Sequence, residues 1–431
     1  MSSQTPSSPH FVLIPLMASG HQIPMVEMGK LLSQRGVTVT IVTTPLNALG
    51  LDPIITAHSA DPGLEIRLLP IRFPCTEAGL PEGMMRGPLE KILWEIQLPP
   101  TCIISDKHLP WTVQITSKLQ ILKILFDGTS CFIFVCSRNI STSKVYDQGS
   151  DLETFMVPAQ LPSPFNCGPI GLGDLREEIV EAEKASYGWA YVQEYRKTKG
   201  NKVWCVGPVS LCNTGDSDKA HRGNKSTINE GRCLKWLDSW SPSSVIYTCL
   251  GTLNYLTAPQ LIELGSGLEA MGRPFIWFHM WVLELEGRIQ DRGLLIWGWA
   301  PQMRILSHPS GFVPAGMWMV VWPLFAEQFY NERFIVMVLG IGVSVGARAA
   351  IRCGGEGKAE GLVKREDVRK SVEEVMSRGR EGEEMRKRAL RLAEKAKRAI
   401  GGEGSSYLEI KAFVEDVKQI SNKLKQEVKD L

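Results

Sequence analysis

A strand, a helix and a second strand are written into the opening segment of the chain. Phe11 to Leu16 is a continuous apolar run, Met25 to Leu32 carries apolar residues at helical spacing, and Val37 to Thr43 is β-branched. A strand that is apolar on both faces has to be covered on both sides, as in a parallel sheet flanked by helices. This βαβ unit therefore predicts a doubly wound α/β sheet. Further strands are expected at Leu64 to Leu69, Thr101 to Ser105 and Ile121 to Phe126. A helix is expected from Pro110 to Leu119, its proline in the first turn, where the missing N–H is not needed.

With 431 residues, the chain is too long for one hydrophobic core and suits two domains of roughly 200 residues each. Residues 1–209 read as one Rossmann-like domain. Residues 210–231, rich in Asn, Gly, Asp, Ser and Lys, read as a polar linker. Residues 232–405 form a second alternating series. In it Val245 to Thr248, Pro274 to Phe278 and Leu294 to Trp297 are expected strands, and Glu327 to Leu339 a helix. Thr257-Ala-Pro-Gln260 reads as a capping box opening another helix. Residues 406–431 are a C-terminal helix, amphipathic from Tyr407 to Val428, and the mixed charges of the tail read as a solvated helix face.

Composition narrows the partners. A net charge of +2 with 22% charged residues and no basic stripe argues against nucleic acid, which leaves small molecules. The longest apolar run, Phe334 to Val345, is too short to span a bilayer. Met1 to His10 holds no Lys or Arg and Pro15 interrupts the apolar stretch that follows, so a secretory signal is not expected. A cytoplasmic location with no membrane partner follows, and the chain is expected to be a monomer. The ten cysteines show no C-x-x-C spacing, and those in apolar runs, such as Cys131, Cys136 and Cys249, read as reduced, buried thiols.

Chemistry-bearing residues sit where such sheets place them. His21 lies just past the first strand and Asp106 just past the strand Thr101 to Ser105, so both belong to loops at carboxyl ends of parallel strands. An imidazole oriented by a carboxylate can take a proton from a hydroxyl. On position alone each has an ordinary reading as well: a His near a Gly as a surface or capping residue, and Asp106 as the N-cap of the helix near Pro110.

Longer segments carry a resemblance. Phe11-Val-Leu-Ile-Pro-Leu-Met-Ala-Ser-Gly-His21-Gln-Ile-Pro-Met25, Cys102-Ile-Ile-Ser-Asp106-Lys-His-Leu-Pro-Trp111, Trp299-Ala-Pro-Gln302 through His308, and Trp322-Pro-Leu-Phe-Ala-Glu327-Gln328 resemble the plant family 1 UDP-glycosyltransferases. The resemblance covers nearly the whole chain and is especially close to the subgroup acting on flavonoids, terpenoids and hormones. It implies a GT-B fold, with two Rossmann-like doubly wound domains facing across a cleft, and inverting, metal-independent transfer of glucose from UDP-glucose to a small hydrophobic hydroxylated acceptor, with no cofactor. It implies that His21 is the base and Asp106 its orienting partner, and that Thr252 donates to the phosphates. Trp299 would stack on uracil, Ala300 and Gln302 would contact its edge, and Glu327 and Gln328 would hold sugar hydroxyls.

Departures from the family pattern are as specific. Trp299 to Gln328 holds 30 residues, where the family motif takes about 44. The missing centre includes the His-Cys-Gly-Trp-Asn-Ser segment and a following Glu, which hold the diphosphate at a helix N-terminus and the ribose. Contractions are also expected after Gly83, around Gly188 to Tyr191, and around Phe278 to Gly287; near Gly188 a lost strand would leave a sheet neighbour unpaired. An inactive homologue that at most binds the acceptor is the alternative reading. Asp216-Ser-Asp218 has a metal-binding D-x-D form but no strand leading into it, and Gly168 to Gly173 lacks dinucleotide-binding spacing. His308 reads as a structural residue.

Overall fold

The computed structural model describes residues 8–59, 64–71, 100–143, 187–200, 202–213, 215, 219, 222–223, 226–251, 256–278, 287–289, 292–310, 317–325, 327–348 and 362–429. Thr252, Asp216 to Asp218, Gly168 to Gly173 and the segment around Gly83 lie outside them, as does most of Phe278 to Gly287. The chain forms two compact units, neither continuous in sequence: residues 1–128, 204–225 and 396–431 in one, residues 129–203 and 226–395 in the other. The sequence reading divided the chain at 209 and 232. Contacts group 129–203 with the second unit, and the C-terminal helix, expected as a segment of its own, with the first.

The first unit is built on five parallel strands, β1 (His10–Ile14), β2 (Thr38–Thr43), β3 (Ile66–Pro70), β4 (Cys102–Asp106) and β5 (Leu122–Phe126), in the order β3-β2-β1-β4-β5. The chain moves outward from β1 to one side and then resumes on its other side at β4, the arrangement of a doubly wound sheet. Alternate residues of β1 serve opposite faces. Phe11 and Leu13 pack with Met25, Val39, Ile41 and Ile104, whereas Val12 and Ile14 pack with Val42, Ile103 and Ile115. All four apolar residues of β1 are fully buried, which accounts for its unbroken apolar run.

Three helices connect these strands: α1 (Ser19–Ser33), α2 (Pro45–Ser59) and α3 (Thr112–Lys118). α1 begins before Met25, the expected start, and takes Pro24 into its interior. The C-terminal helix, Ser405–Lys429, lays Ile410, Phe413, Val414 and Val417 on the Phe11 and Leu13 face of the sheet. That i, i+3, i+4, i+7 spacing is one helical stripe. Its opposite side is solvated as expected, but the helix is part of the core. Trp204 donates from its indole to Asp416 at 2.8 Å, and its ring meets Phe413 edge-on at 5.1 Å.

The polar stretch after Ser210 is not a free tether at two described positions. Asn213 is buried and donates to Glu27 at 2.7 Å, and Arg222 donates to the same carboxylate at 2.6 Å. Lys30, also buried, donates to Asn213 at 3.3 Å. Periodicity on α1 gives no hint of this, because Glu27 and Lys30 read as ordinary helix-surface charges until a partner segment covers them. Glu27→Ala would take this acceptor from Arg222 and leave Asn213 donating only to the Ser210 carbonyl, and is expected to cost about 3 kcal/mol in a urea denaturation series; an unchanged midpoint would mean that the clasp contributes nothing.

The second unit begins with α4 (Cys131–Ser143) and α5 (Tyr187–Thr198), continues through α6 (Glu230–Asp238), β6 (Ile246–Thr248), α7 (Ala258–Ala270), β7 (Phe275–Phe278), β8 (Gly293–Ile296), α8 (Gln302–Ser307), β9 (Met319–Val321), α9 (Gln328–Arg333) and β10 (Gly342–Ser344), and ends in α10 (Arg365–Val375) and all but the last turn of α11 (Arg380–Ile400). Its described strands form two parallel sheets, β6-β7-β8 and β9-β10. The backbone leading into β6 is bonded to the stretch before residue 311, Ser243 to Pro309 and Val245 to Ser310. Around Tyr191, where a lost strand was expected to leave an uncovered face, the chain is helical, and Tyr191 is buried against Phe132 and Phe334.

Three local expectations need correction. Thr257 is the N-cap residue of α7 but makes no side-chain cap bond. Gln260 turns away to exchange two hydrogen bonds with the backbone of Val363, at 2.8 and 3.1 Å; a buried loop peptide outcompetes the capping box for its amide. Cys249 is exposed rather than buried, because it lies past the end of β6. Cys136 and Cys102 are buried, and burial pushes the Cys102 thiol well up. The helix expected over Glu327 to Leu339 is α-helical to Arg333 and continues as a wider π-type turn from Phe334 to Val338. No helix among the described residues is long and apolar enough to cross a membrane.

Candidate active site

β1 and β4 are hydrogen-bonded neighbours, with Ile14 opposite Ser105. Their carboxyl ends therefore release adjacent loops: one enters α1, whose first turn carries His21, and the other starts at Asp106, the last residue of β4. The side chains meet, with His21 Nδ1 2.7 Å from Asp106 Oδ2. Asp106 is 2% exposed. The His21 side chain keeps 29% of its surface.

The second carboxylate oxygen accepts the His108 backbone N–H at 2.9 Å. Asp106 thus closes a tight turn on its own loop and does not cap α3, whose N-cap residue is Trp111. Burial pushes the Asp106 carboxyl up, but hydrogen bonds from His21 and the His108 N–H, with their charges, outweigh it and hold the group below its ordinary value of 3.8. The hydrogen bond to Asp106 raises His21 above its ordinary 6.5, against the opposing effect of burial. A carboxylate that accepts from Nδ1 leaves the neutral imidazole's lone pair on Nε2. Next to the pair, Lys107 and Asp127 form an ion pair at 2.7 Å.

Sequence reasoning passed over His108. Its ring stands edge-on to that of His21, with centroids 5.3 Å apart. The signal available was the Asp106-x-His108 spacing at a strand end, where a turn returns the second residue toward the first.

The other expected site residues lie in the second unit, apart from Thr252, which is outside the described residues. Trp299 and Ala300 follow β8 and Gln302 opens α8. The Trp299 carbonyl accepts from the Thr227 N–H at 3.0 Å and the Ser226 hydroxyl at 3.3 Å, and the Thr227 hydroxyl also donates to Trp297. Gly298 makes this approach possible: its φ is +94°, and a Cβ there would stand 2.4 Å from Thr227 Cγ2. Gly298→Ala is expected to lower stability by about 1–3 kcal/mol, read as a shifted guanidinium midpoint; an unshifted midpoint would show that the loop relaxes freely.

Ala300 is buried and accepts the Gln302 N–H at 2.8 Å. The Gln302 amide lies 3.7 Å from Cys249 Sγ, beside the loop leading to Thr252. Glu327 is the N-cap residue of α9, and Gln328, its first residue, accepts the Leu324 N–H at 2.8 Å through Oε1. That bond uses one side of the amide and leaves its NH₂ as donor. His308 bonds Asp238 at 3.1 Å and accepts the Ser310 N–H at 3.2 Å, a structural role that fits the expectation.

No protein-family model matches the chain. Curated relatives do. UDP-glycosyltransferase 73E1 of Stevia rebaudiana is 41% identical, over 96% of this chain and 97% of that protein, and UDP-glycosyltransferase 73C6 of Arabidopsis thaliana is 40% identical over the same shares. The first alignment runs over 480 positions, to which this chain contributes about 414 residues, 96% of its 431, so it is tens of positions shorter over the shared span. Among solved structures, Glycyrrhiza uralensis UGT73P12, complexed with glycyrrhetinic acid 3-O-monoglucuronide, superposes with a TM-score of 0.80 at 31% identity, covering 98% of this chain and 99% of that one. On this identity, coverage and fold, the chain belongs to the plant UDP-glycosyltransferases, enzymes of the GT-B fold.

Proposed function

We propose that the protein is an inverting O-glucosyltransferase that moves glucose from UDP-glucose to a hydroxyl of a plant small molecule of the flavonoid, terpenoid or hormone kind. The observation that carries this reading is the 2.7 Å contact between His21 Nδ1 and Asp106. Nε2 takes the acceptor proton, the hydroxyl oxygen attacks the anomeric carbon, and UDP leaves from the opposite side. Asp106 orients the ring and offsets the charge that forms on it. The chemistry requires no metal and no cofactor.

For the donor, Trp299 stacks on uracil, Ala300 and Gln302 address the base edge, and Thr252 donates to a phosphate. Glu327 and the free NH₂ of Gln328 hold sugar hydroxyls. The test is transfer from radiolabelled UDP-glucose to a panel of flavonols. Product above that of a His21→Ala control supports the reading, and none counts against it. Trp299→Ala is expected to weaken UDP binding about 10-fold, the lower part of the range for loss of one base-stacking aromatic; calorimetry showing equal affinities would remove Trp299 from the donor site.

The short span between Trp299 and Gln328 favours a second reading, an inactive homologue that retains acceptor binding. Calorimetry separates the two: acceptor binding without UDP binding supports the second, and UDP binding at micromolar strength overturns it.

A further inference from the structure

The geometry points to a binding site for one borderline transition dication, of which Zn²⁺ is the type, formed by the imidazoles of His21 and His108 and the carboxylate of Asp106. One ligating atom from each of these three lies within 4.8 Å of the other two. The three side chains meet for a covalent reason and a topological one. His108 follows Asp106 by two residues in a turn closed by its own N–H, and His21 reaches the same carboxylate from the neighbouring strand's loop.

Bound Zn²⁺ holds nitrogen and carboxylate oxygen at about 2.0–2.2 Å, so its ligands sit roughly 3–3.5 Å apart. Closing from a spacing of up to 4.8 Å requires movement of about 1–2 Å, and His108 is the side chain able to make it: it is exposed, and its ring makes no hydrogen bond among the described residues. Asp106 is fixed and buried. Two imidazoles and one carboxylate suit Zn²⁺, Co²⁺ or Cu²⁺, whereas Mg²⁺ and Ca²⁺ favour all-oxygen sets. Three protein ligands leave a fourth, water-filled position.

Occupancy has a definite effect on the base. A metal on Nε2 consumes the lone pair that takes the acceptor proton. A metal on Nδ1 moves the ring proton to Nε2 and turns an acceptor into a donor. Either mode silences His21, so the ion acts as a reversible inhibitor and not as a cofactor. The site needs only the three side chains, while this effect on catalysis rests on the reading of His21 as the base.

The test is calorimetric titration of EDTA-treated full-length protein with ZnCl₂, wild type against His108→Ala. The substitution is at an exposed ring, and circular dichroism verifies the fold. Wild type is expected to bind one equivalent at least about 10-fold more tightly than the variant, with background from other histidines equal in both. Co²⁺ is expected to give tetrahedral visible bands in wild type that weaken in the variant, and Mg²⁺ to give no heat. Isotherms that coincide, or a wild type that binds no Zn²⁺, overturn the site. In transfer assays Zn²⁺ is expected to inhibit wild type more than the variant, each relative to its own metal-free rate. His108-dependent binding in a protein without transferase activity would leave this site standing and overturn the proposed function. Transfer without such binding would do the reverse.

Discussion

Sugar transfer by the His21→Ala variant is expected to fall about 10²–10⁴-fold, the usual contribution of a positioned general base, with the far-ultraviolet spectrum unchanged. An acceptor hydroxyl is a poor nucleophile until its proton has somewhere to go, and His21 is an imidazole hydrogen-bonded to a buried carboxylate. The pH profile offers a second readout. The hydrogen bond to Asp106 raises His21 above 6.5, so activity should rise with pH through a midpoint above that value. Asp106→Asn removes the largest raising cause, and the midpoint should move down as the rate drops. A profile that ignores Asp106→Asn would dissociate the pair from the chemistry.

The same pair links folding to pH. His21, raised in the folded state, contributes stability that is complete below its unfolded value of 6.5 and is lost as pH climbs through its folded value. Asp106, lowered in the folded state, contributes stability present above 3.8 and lost as pH falls through its folded value. Between 3.8 and 6.5 both contributions are present, and His21→Ala should flatten the pH dependence of the melting temperature around that window.

Restoring the diphosphate-binding segment between Ser310 and Trp322 is expected to tighten UDP binding by about 10³-fold or more. On the proposed reading, that segment would present a helix N-terminus to the diphosphate and a Glu to the ribose, and hydrogen bonds to charged groups contribute about 1.5–3 kcal/mol each. Three of them account for the factor. The insertion would be made in the full chain and measured by calorimetry with UDP. An unchanged dissociation constant would show that the 30-residue span already holds the diphosphate by other means, and would remove the motive for the inactive reading.

The first sheet was legible because its residues obey local rules. β1 is apolar on both faces, β2 is β-branched throughout, and β-branched or apolar runs at Thr101 to Ser105 and Ile121 to Phe126 lie within a residue or two of the observed strands. The His21 and Asp106 pair was legible for the same reason, since strand ends fix where such loops meet. Interactions that depend on distant partners were not. Gln260 reads as a capping residue until Val363 arrives, about 100 positions later. Glu27 and Lys30 look like surface charges until Asn213 and Arg222 cover them. The pattern of the C-terminal helix was visible, but a stripe of apolar residues says that something is covered, not what. Cys249 misled because an apolar flank stands for burial only inside a strand.

The helix Ser405–Lys429 covers a sheet face whose strands are translated long before it. During synthesis, α1 can cover Leu13, Val39 and Ile41 at once, but Phe11, whose ring meets Phe413, waits without its partner helix while the ribosome makes the intervening segments. A nascent chain halted before Ser405 would display that oily surface to chaperones, and a gene truncated there should yield inclusion bodies even though every residue proposed for catalysis has already been made.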